Sequence, residues 1–157
     1  SIHYPQREIC IDGSMVLWRG RLSFRQYIPN KRHKYGVKLY MLTEPNGIIV
    51  KCQIYIGALG DFGGTGHAAN VVLHLLSEKL GVGHSVYIDN FYNSYELSRQ
   101  LLQSKTHSTG TLHINRKYSS PDVKSAKLQR GATISRYANN VMIGKWKYRR
   151  EVTYIRG

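Results

Sequence analysis

The sequence predicts an α/β domain built on a mixed sheet, with a three-stranded antiparallel meander first and then parallel strands joined by helical crossovers. Two observations carry this. Up to Gly57 apolar residues tend to recur at every second position, and from Val71 they recur at helical spacing. Beyond that change, strand-like and helix-like stretches alternate, which is the pattern of parallel pairing. A chain of 157 residues, 41% hydrophobic and 11% aromatic, is also large enough to bury one real core.

The elements follow in order. Glu8–Met15 is the first expected strand, rich in β-branched residues and punctuated by Asp12-Gly13-Ser14. Leu22–Ile28 alternates until Pro29-Asn30 stops it. Tyr35–Thr43 sets Val37, Leu39 and Met41 on one face, and Pro45-Asn46-Gly47 is a tight-turn signal. Ile48–Gly57 returns beside it, so a hairpin is expected across Tyr35–Gly57. The glycine-rich Gly57–Gly66 reads as a connection, because it lacks the Lys-Ser/Thr of a phosphate loop and follows no dinucleotide fingerprint.

Val71, Val72, Leu75, Leu76 and Leu80 then share one helical face, and Gly81 is placed to end that helix. Ser85–Asp89 is a short apolar strand. Asn93 with Glu96 three residues on reads as a capping box, opening a helix whose apolar face is Leu97, Leu101 and Leu102. Thr109–Ile114 is the next strand. From Asn115 the sequence turns basic and polar, with short strands expected at Thr133–Tyr137 and Glu151–Ile155. A boundary near Asn115 therefore separates residues 1–114 from residues 115–157.

Charge narrows the partner. A formal net charge of +14, with 23 Lys and Arg against nine Asp and Glu, points to a polyanion. Nucleic acid leads, and an acidic membrane surface is the alternative. Arg19, Arg21, Arg25, Lys31, Arg32, Lys34 and Lys38 crowd a stretch without a carboxylate, interleaved with Trp18, Phe24, Tyr27 and Tyr35. Such a stretch is suited to tracking phosphates and stacking on bases. Asn115, Arg116 and Lys117 and the run Lys145–Arg150 are weaker basic candidates. Trp146 is expected to be a core anchor.

Cys10 and Cys52 form no C-x-x-C pair, so neither a zinc module nor a disulfide framework is indicated, and a reduced intracellular protein fits. His67 and His74 have no paired-ligand spacing. No stretch reaches the roughly 20 apolar residues of a membrane helix.

Two acids stand out. Asp12 closes Ile9–Asp12 and Asp89 closes Val86–Asp89, so both are expected at strand ends. The topology makes the two strands neighbours, and two carboxylates on adjacent strand ends make a hard-oxygen site for Mg²⁺ or Mn²⁺. Against this, Asp-Gly is a good turn dipeptide and Asp commonly ends strands. Asp61, in the glycine-rich connection, is a further acid that could approach the same site.

Longer motifs go further. Ile11-Asp12-Gly13-Ser14-Met15, Trp18-Arg19-Gly20-Arg21 and Arg25-Gln26-Tyr27-Ile28-Pro29-Asn30-Lys31 resemble the catalytic core of piggyBac-type transposases. So do His33–Tyr40, Asp89-Asn90-Phe91-Tyr92-Asn93-Ser94, Thr109-Gly110-Thr111-Leu112 with Asn115-Arg116-Lys117, and Lys145-Trp146-Lys147. The resemblance runs through nearly the whole chain in order. It implies an RNase H-like fold, with residues 115–157 as the start of a β-rich insertion.

It also implies a DDE/D-type activity, the metal-dependent cleavage and transfer of DNA strands. Asp12 and Asp89 match the first and second carboxylates of the triad, as catalytic residues and ligands of Mg²⁺ or Mn²⁺. The third lies beyond an insertion that this chain does not complete, so the chain is expected to be a segment that is inactive alone. Arg19, Arg21, Arg25, Lys31, Lys34, Asn115, Arg116 and Lys117 would contact DNA. Transposon ends, TTAA target sites, a homodimer formed through regions absent here, and a nuclear location follow from the same resemblance. Two departures stand out: Gly13 where the family has Glu, and Tyr148 where it has Asp. They leave open the alternative of a domesticated or degenerate DNA-binding module without catalysis.

Overall fold

The computed structural model describes residues 3–57 and 66–157. It divides into two compact units, Ser1–Glu78 and Lys79–Gly157. The glycine-rich connection and its Asp61 lie almost wholly outside the described residues.

In the first unit the central strand is β3 (Tyr35–Thr43). β1 (Glu8–Leu17) runs antiparallel along one edge, from Cys10 opposite Thr43 to Leu17 opposite Gly36. β4 (Ile49–Ile54) lines the other edge, and β2 pairs there too, reduced to Gln26–Tyr27. The expected hairpin is present: Gly47 takes φ 89°, and its N–H donates to the Glu44 carbonyl at 2.9 Å. The expected strand Leu22–Ile28 is not, since only its last residues reach β3. Gly36 is required by close approach, because a Cβ there would lie 2.0 Å from the Val16 carbonyl oxygen.

Strand parity buries Ile9, Ile11, Tyr40 and Leu42 on one face. α1 (His67–Leu76) packs against β3 and β4, with Val71, Val72, Leu75 and Leu76 buried. It ends before Leu80, which is only half-buried, so the expected face was one turn too long. The Tyr40 hydroxyl is bonded to His67 Nε2 at 2.6 Å, and burial pushes its pKa up to about 12. Glu44, also buried, accepts from the His3 ring at 2.6 Å, the Gln6 N–H at 3.3 Å and the Asn46 amide at 3.1 Å. These bonds, led by His3, hold its carboxyl below the usual range.

The second unit is one sheet in the order β5-β6-β9-β8-β7: β5 (Ser85–Ile88), β6 (His107–Thr111), β7 (Thr133–Ala138), β8 (Val141–Lys147) and β9 (Glu151–Arg156). β5 and β6 are parallel, joined by α2 (Tyr95–Gln103), and the remaining pairs are antiparallel. β6 is shifted toward the N-terminus of its expected span. β8 is a strand the sequence reading did not contain. Asn139 and Asn140, at φ 48° and 63°, make the two-residue turn that feeds it.

Leu112, Val123, Val141, Ile143 and Ile155 form the core here, with Tyr95, Leu102 and Ile134 packed on it and Val123 coming from α3 (Pro121–Ser125). Trp146 does not join them: it is 44% exposed, whereas Lys145 is 3% exposed. Parity explains the correction, since Lys145 shares the inward face with Ile143 and Val141. The Lys145 amine donates to the Lys124 and Ala126 carbonyls at 3.3 and 2.5 Å, and Glu151 lies 3.5 Å away.

Candidate functional site

Asp12 does not end a strand. It lies in the middle of β1, opposite Met41, and the pairing continues through Gly13–Tyr40 and Ser14–Leu39 to Leu17. The turn preference of Asp-Gly loses to a ladder that β3 imposes on both sides of it. The carboxylate is exposed, and its Oδ1 accepts from the Gly13 N–H at 2.6 Å. Lys31 brings a cation to the same strand, its Nζ donating to the Gly13 carbonyl at 3.0 Å.

Asp89 is where the sequence put it, directly after β5 and exposed. Its Oδ1 accepts from the Phe91 N–H at 3.0 Å, and its carbonyl accepts from the Tyr92 and Asn93 N–H groups at 3.3 and 3.1 Å. The turn is held from behind by Asn93, which is fully buried rather than a helix cap. Its amide donates to the Ile88 carbonyl at 2.9 Å and the Thr111 carbonyl at 3.0 Å. Gly110 makes room, since a Cβ there would lie 1.7 Å from the Ile88 oxygen and 2.7 Å from the Asn93 amide nitrogen.

The capping role passes to Ser94, whose hydroxyl accepts from the Leu97 N–H at 3.2 Å; Glu96 pairs with Arg99 instead. Arg116 donates to the Phe91 carbonyl and, at 3.5 Å, to that of Asn90. An expected DNA contact is therefore tied to the turn that carries Asp89.

Neither Asp12 nor Asp89 forms a salt bridge among the described residues. Exposed, unpaired carboxylates are the donor type a hard divalent cation takes. Among the described residues no group of three or more His, Cys, Asp or Glu is gathered to hold a metal. Two ligands of the expected set thus fit in kind, each within its own unit.

The basic stretch is a surface. Arg19, Arg21, Arg25, Lys31, Arg32 and Lys34 are all exposed, and so are Trp18, Tyr27 and Tyr35. Tyr27 and Tyr35 lie with ring centroids 4.6 Å apart, and the Arg25 guanidinium sits 5.6 Å from the Tyr35 ring. Phe24 is half-buried. Asn115 and Lys117 are exposed in the second unit. Tyr148, one of the two departures, lies under the Arg130 guanidinium at 4.4 Å.

Sequence reasoning missed Asn93 as a buried clamp and Lys145 as an internal amine. The first had a signal in Gly110; the second had one in strand parity, once β8 is recognised.

The profile of a transposase family, described as Transposase IS4, matches residues 1–156, and the chain belongs to that family. Among solved structures, a chain from the cryo-EM structure of a piggyBac transposase synaptic complex with hairpin DNA is similar at a TM-score of 0.90. The two share 24% identity, over 98% of this chain and 33% of that one, a likeness of fold. The chain spans one third of the length of the chain it matches. The resemblance read from the motifs is thus borne out in family and in fold.

Proposed function

We propose that this chain is the catalytic-core segment of a DNA transposase, with Asp12 and Asp89 as two carboxylates of a divalent-metal site for DNA strand cleavage and transfer. The observation that carries the reading is Asp12 itself. An exposed carboxylate in mid-strand, without a cation partner among the described residues of a chain of charge +14, has no turn or cap to explain it. When bound by such carboxylates, Mg²⁺ or Mn²⁺ supplies the charge that activates an attacking oxygen and stabilises a leaving one. The chain's own part is to hold the ligands: β1 fixes Asp12 through its ladder, and Asn93 and Arg116 fix the turn of Asp89. Arg19, Arg21, Arg25, Lys31 and Lys34 would take the phosphates, with Asn115 and Lys117 adding contacts.

The test is nicking of transposon-end DNA by a gene product that contains this chain together with a third carboxylate. Asp12→Asn and Asp89→Asn should each abolish it; nicking that persists in either variant sinks the assignment. Transposon ends and TTAA targets, a homodimer and a nuclear location rest on the family resemblance. Insertion-junction sequencing, the mass of the protein on DNA and imaging of the tagged protein are the corresponding tests, and random junctions, a monomer on DNA or a cytoplasmic protein would each remove its part.

A second reading is favoured by the two departures from the family pattern, Gly13 and Tyr148. On that reading the segment binds DNA without catalysis. Salt-sensitive DNA binding together with calorimetric silence toward Mn²⁺ would select it over the first.

A further inference from the structure

The second unit holds a recess lined by α2, the segment after β6, and β7 and β8. Its walls are Tyr95, Tyr118, Tyr137 and Arg136, closed below by Val141 and Ile143, and its volume is about 230 Å³. That is below the roughly 300 Å³ at which pockets for drug-sized ligands begin, and it suits one flat ring system. Tyr95 is fixed: its hydroxyl accepts from the Asn139 amide at 2.9 Å and donates to the Ala138 carbonyl at 3.5 Å. Tyr118 stands across from it, ring centroids 6.0 Å apart.

Tyr118 is held in a left-handed conformation, φ 65°, which a bulky side chain adopts only under constraint from its surroundings. That constraint leaves its ring 54% exposed at the recess, and Tyr137 is 72% exposed beside it. Cations flank the rings. Lys117 Nζ lies 4.9 Å from the Tyr118 centroid. Arg136 reaches the rim, its Nε on Asp122 at 3.0 Å and its Nη1 on the Ser135 carbonyl at 2.9 Å, which leaves Nη2 outside both bonds.

We propose that this tyrosine recess is a binding site for an unpaired nucleobase, with Lys117 and Arg136 serving the phosphates on either side of it. Exposed aromatic faces edged by cations are how proteins hold single-stranded nucleic acid, because every base has a π-face and every linkage a charge. An acidic or purely apolar peptide would use only half of that chemistry. The proposal rests on the DNA reading above for the identity of its strand.

The experiment uses the chain with a short single-stranded oligonucleotide bearing 2-aminopurine, the matched duplex, and 2-aminopurine ribonucleoside monophosphate. Stacking quenches the fluorophore. Tyr118→Leu and Tyr137→Leu should each lower single-strand affinity about tenfold and relieve the quenching, with duplex affinity unchanged. Tyr137→Trp should restore both. Quenching of the free monophosphate as well as of the strand would place the recognition in base and phosphate alone, and quenching of the strand only would place it in the polymer; either supports the site. If the Leu variants bind single strand as wild type does while duplex is still bound, the recess is not a base site and the DNA reading survives. If no nucleic acid binds, both fail. Both tyrosines are more than half exposed, so unchanged melting of the variants is the control for folding.

Discussion

Asp12 and Asp89 are held in opposite ways. Asp12 owes its place to backbone alone: β3 pairs with β1 on both sides of it, and the side chain adds only one short bond to Gly13. Asp89 sits past the end of its strand, where the ladder stops, and a turn closed by its own carboxylate takes over, with Asn93 and Arg116 behind it. A carboxylate inside a ladder is hard to move and indifferent to its neighbours' side chains. A carboxylate in a turn depends on every clamp around it.

The sharpest way to break that contrast is Gly110→Ala. A Cβ 1.7 Å from the Ile88 oxygen cannot be accommodated without parting β5 from β6, so the expected cost is about 3 kcal/mol or more in urea unfolding. Asn93→Ala is next. It leaves the Ile88 and Thr111 carbonyls without their amide donor and should cost about 2 kcal/mol. Hydrogen exchange at Phe91 should quicken, while exchange in β1 around Asp12 stays as it was.

A smaller effect separates the acids directly. Asp89→Ala should cost about 1 kcal/mol through loss of the Phe91 bond, and Asp89→Asn almost nothing, because an amide oxygen still accepts. Asp12→Ala should stay within about 0.5 kcal/mol, as exposed positions without a structural task do. A large loss at Asp12 would mean its side chain, and not the ladder, holds it.

The smallest is a pH effect in the first unit. Bonds from His3, Gln6 and Asn46 hold the Glu44 carboxyl below its ordinary value. Its contribution is therefore present above the ordinary carboxylate range and is lost as pH falls through the lowered value. Glu44→Gln should flatten the acid limb of the stability profile; an unchanged limb would exclude Glu44 as its source.

Much of the fold was legible because local signals agreed with it. Pro45-Asn46-Gly47 between two period-2 runs gave the β3–β4 hairpin, and Val71, Val72, Leu75 and Leu76 gave the buried stripe of α1. The failures came where a distant residue decided. Asp12-Gly13 is a turn by local preference and a strand by virtue of β3. Asn93 is a good cap by composition, but the space left by Gly110 drew its amide inward and moved the cap to Ser94. In β8, hydrophobicity chose Trp146 for the core while parity put Lys145 there, and carbonyls at the end of α3 receive its amine. Of the two candidate acids, the place of Asp89 after β5 was legible and the mid-strand place of Asp12 was not.

The internal amine of Lys145 also bears on how this protein would be weighed by a polyanion. Formal charge counts it equally with Arg19 or Lys34, yet an amine turned inward onto two carbonyls displaces no counterion from a phosphate. Arg116 is similarly engaged with backbone oxygens, and Arg99 with a carboxylate. With log K falling by about 0.9 per phosphate neutralised for each log unit of salt, the measured slope would report only the cations still turned outward. The working charge of the surface is smaller than the arithmetic of the sequence.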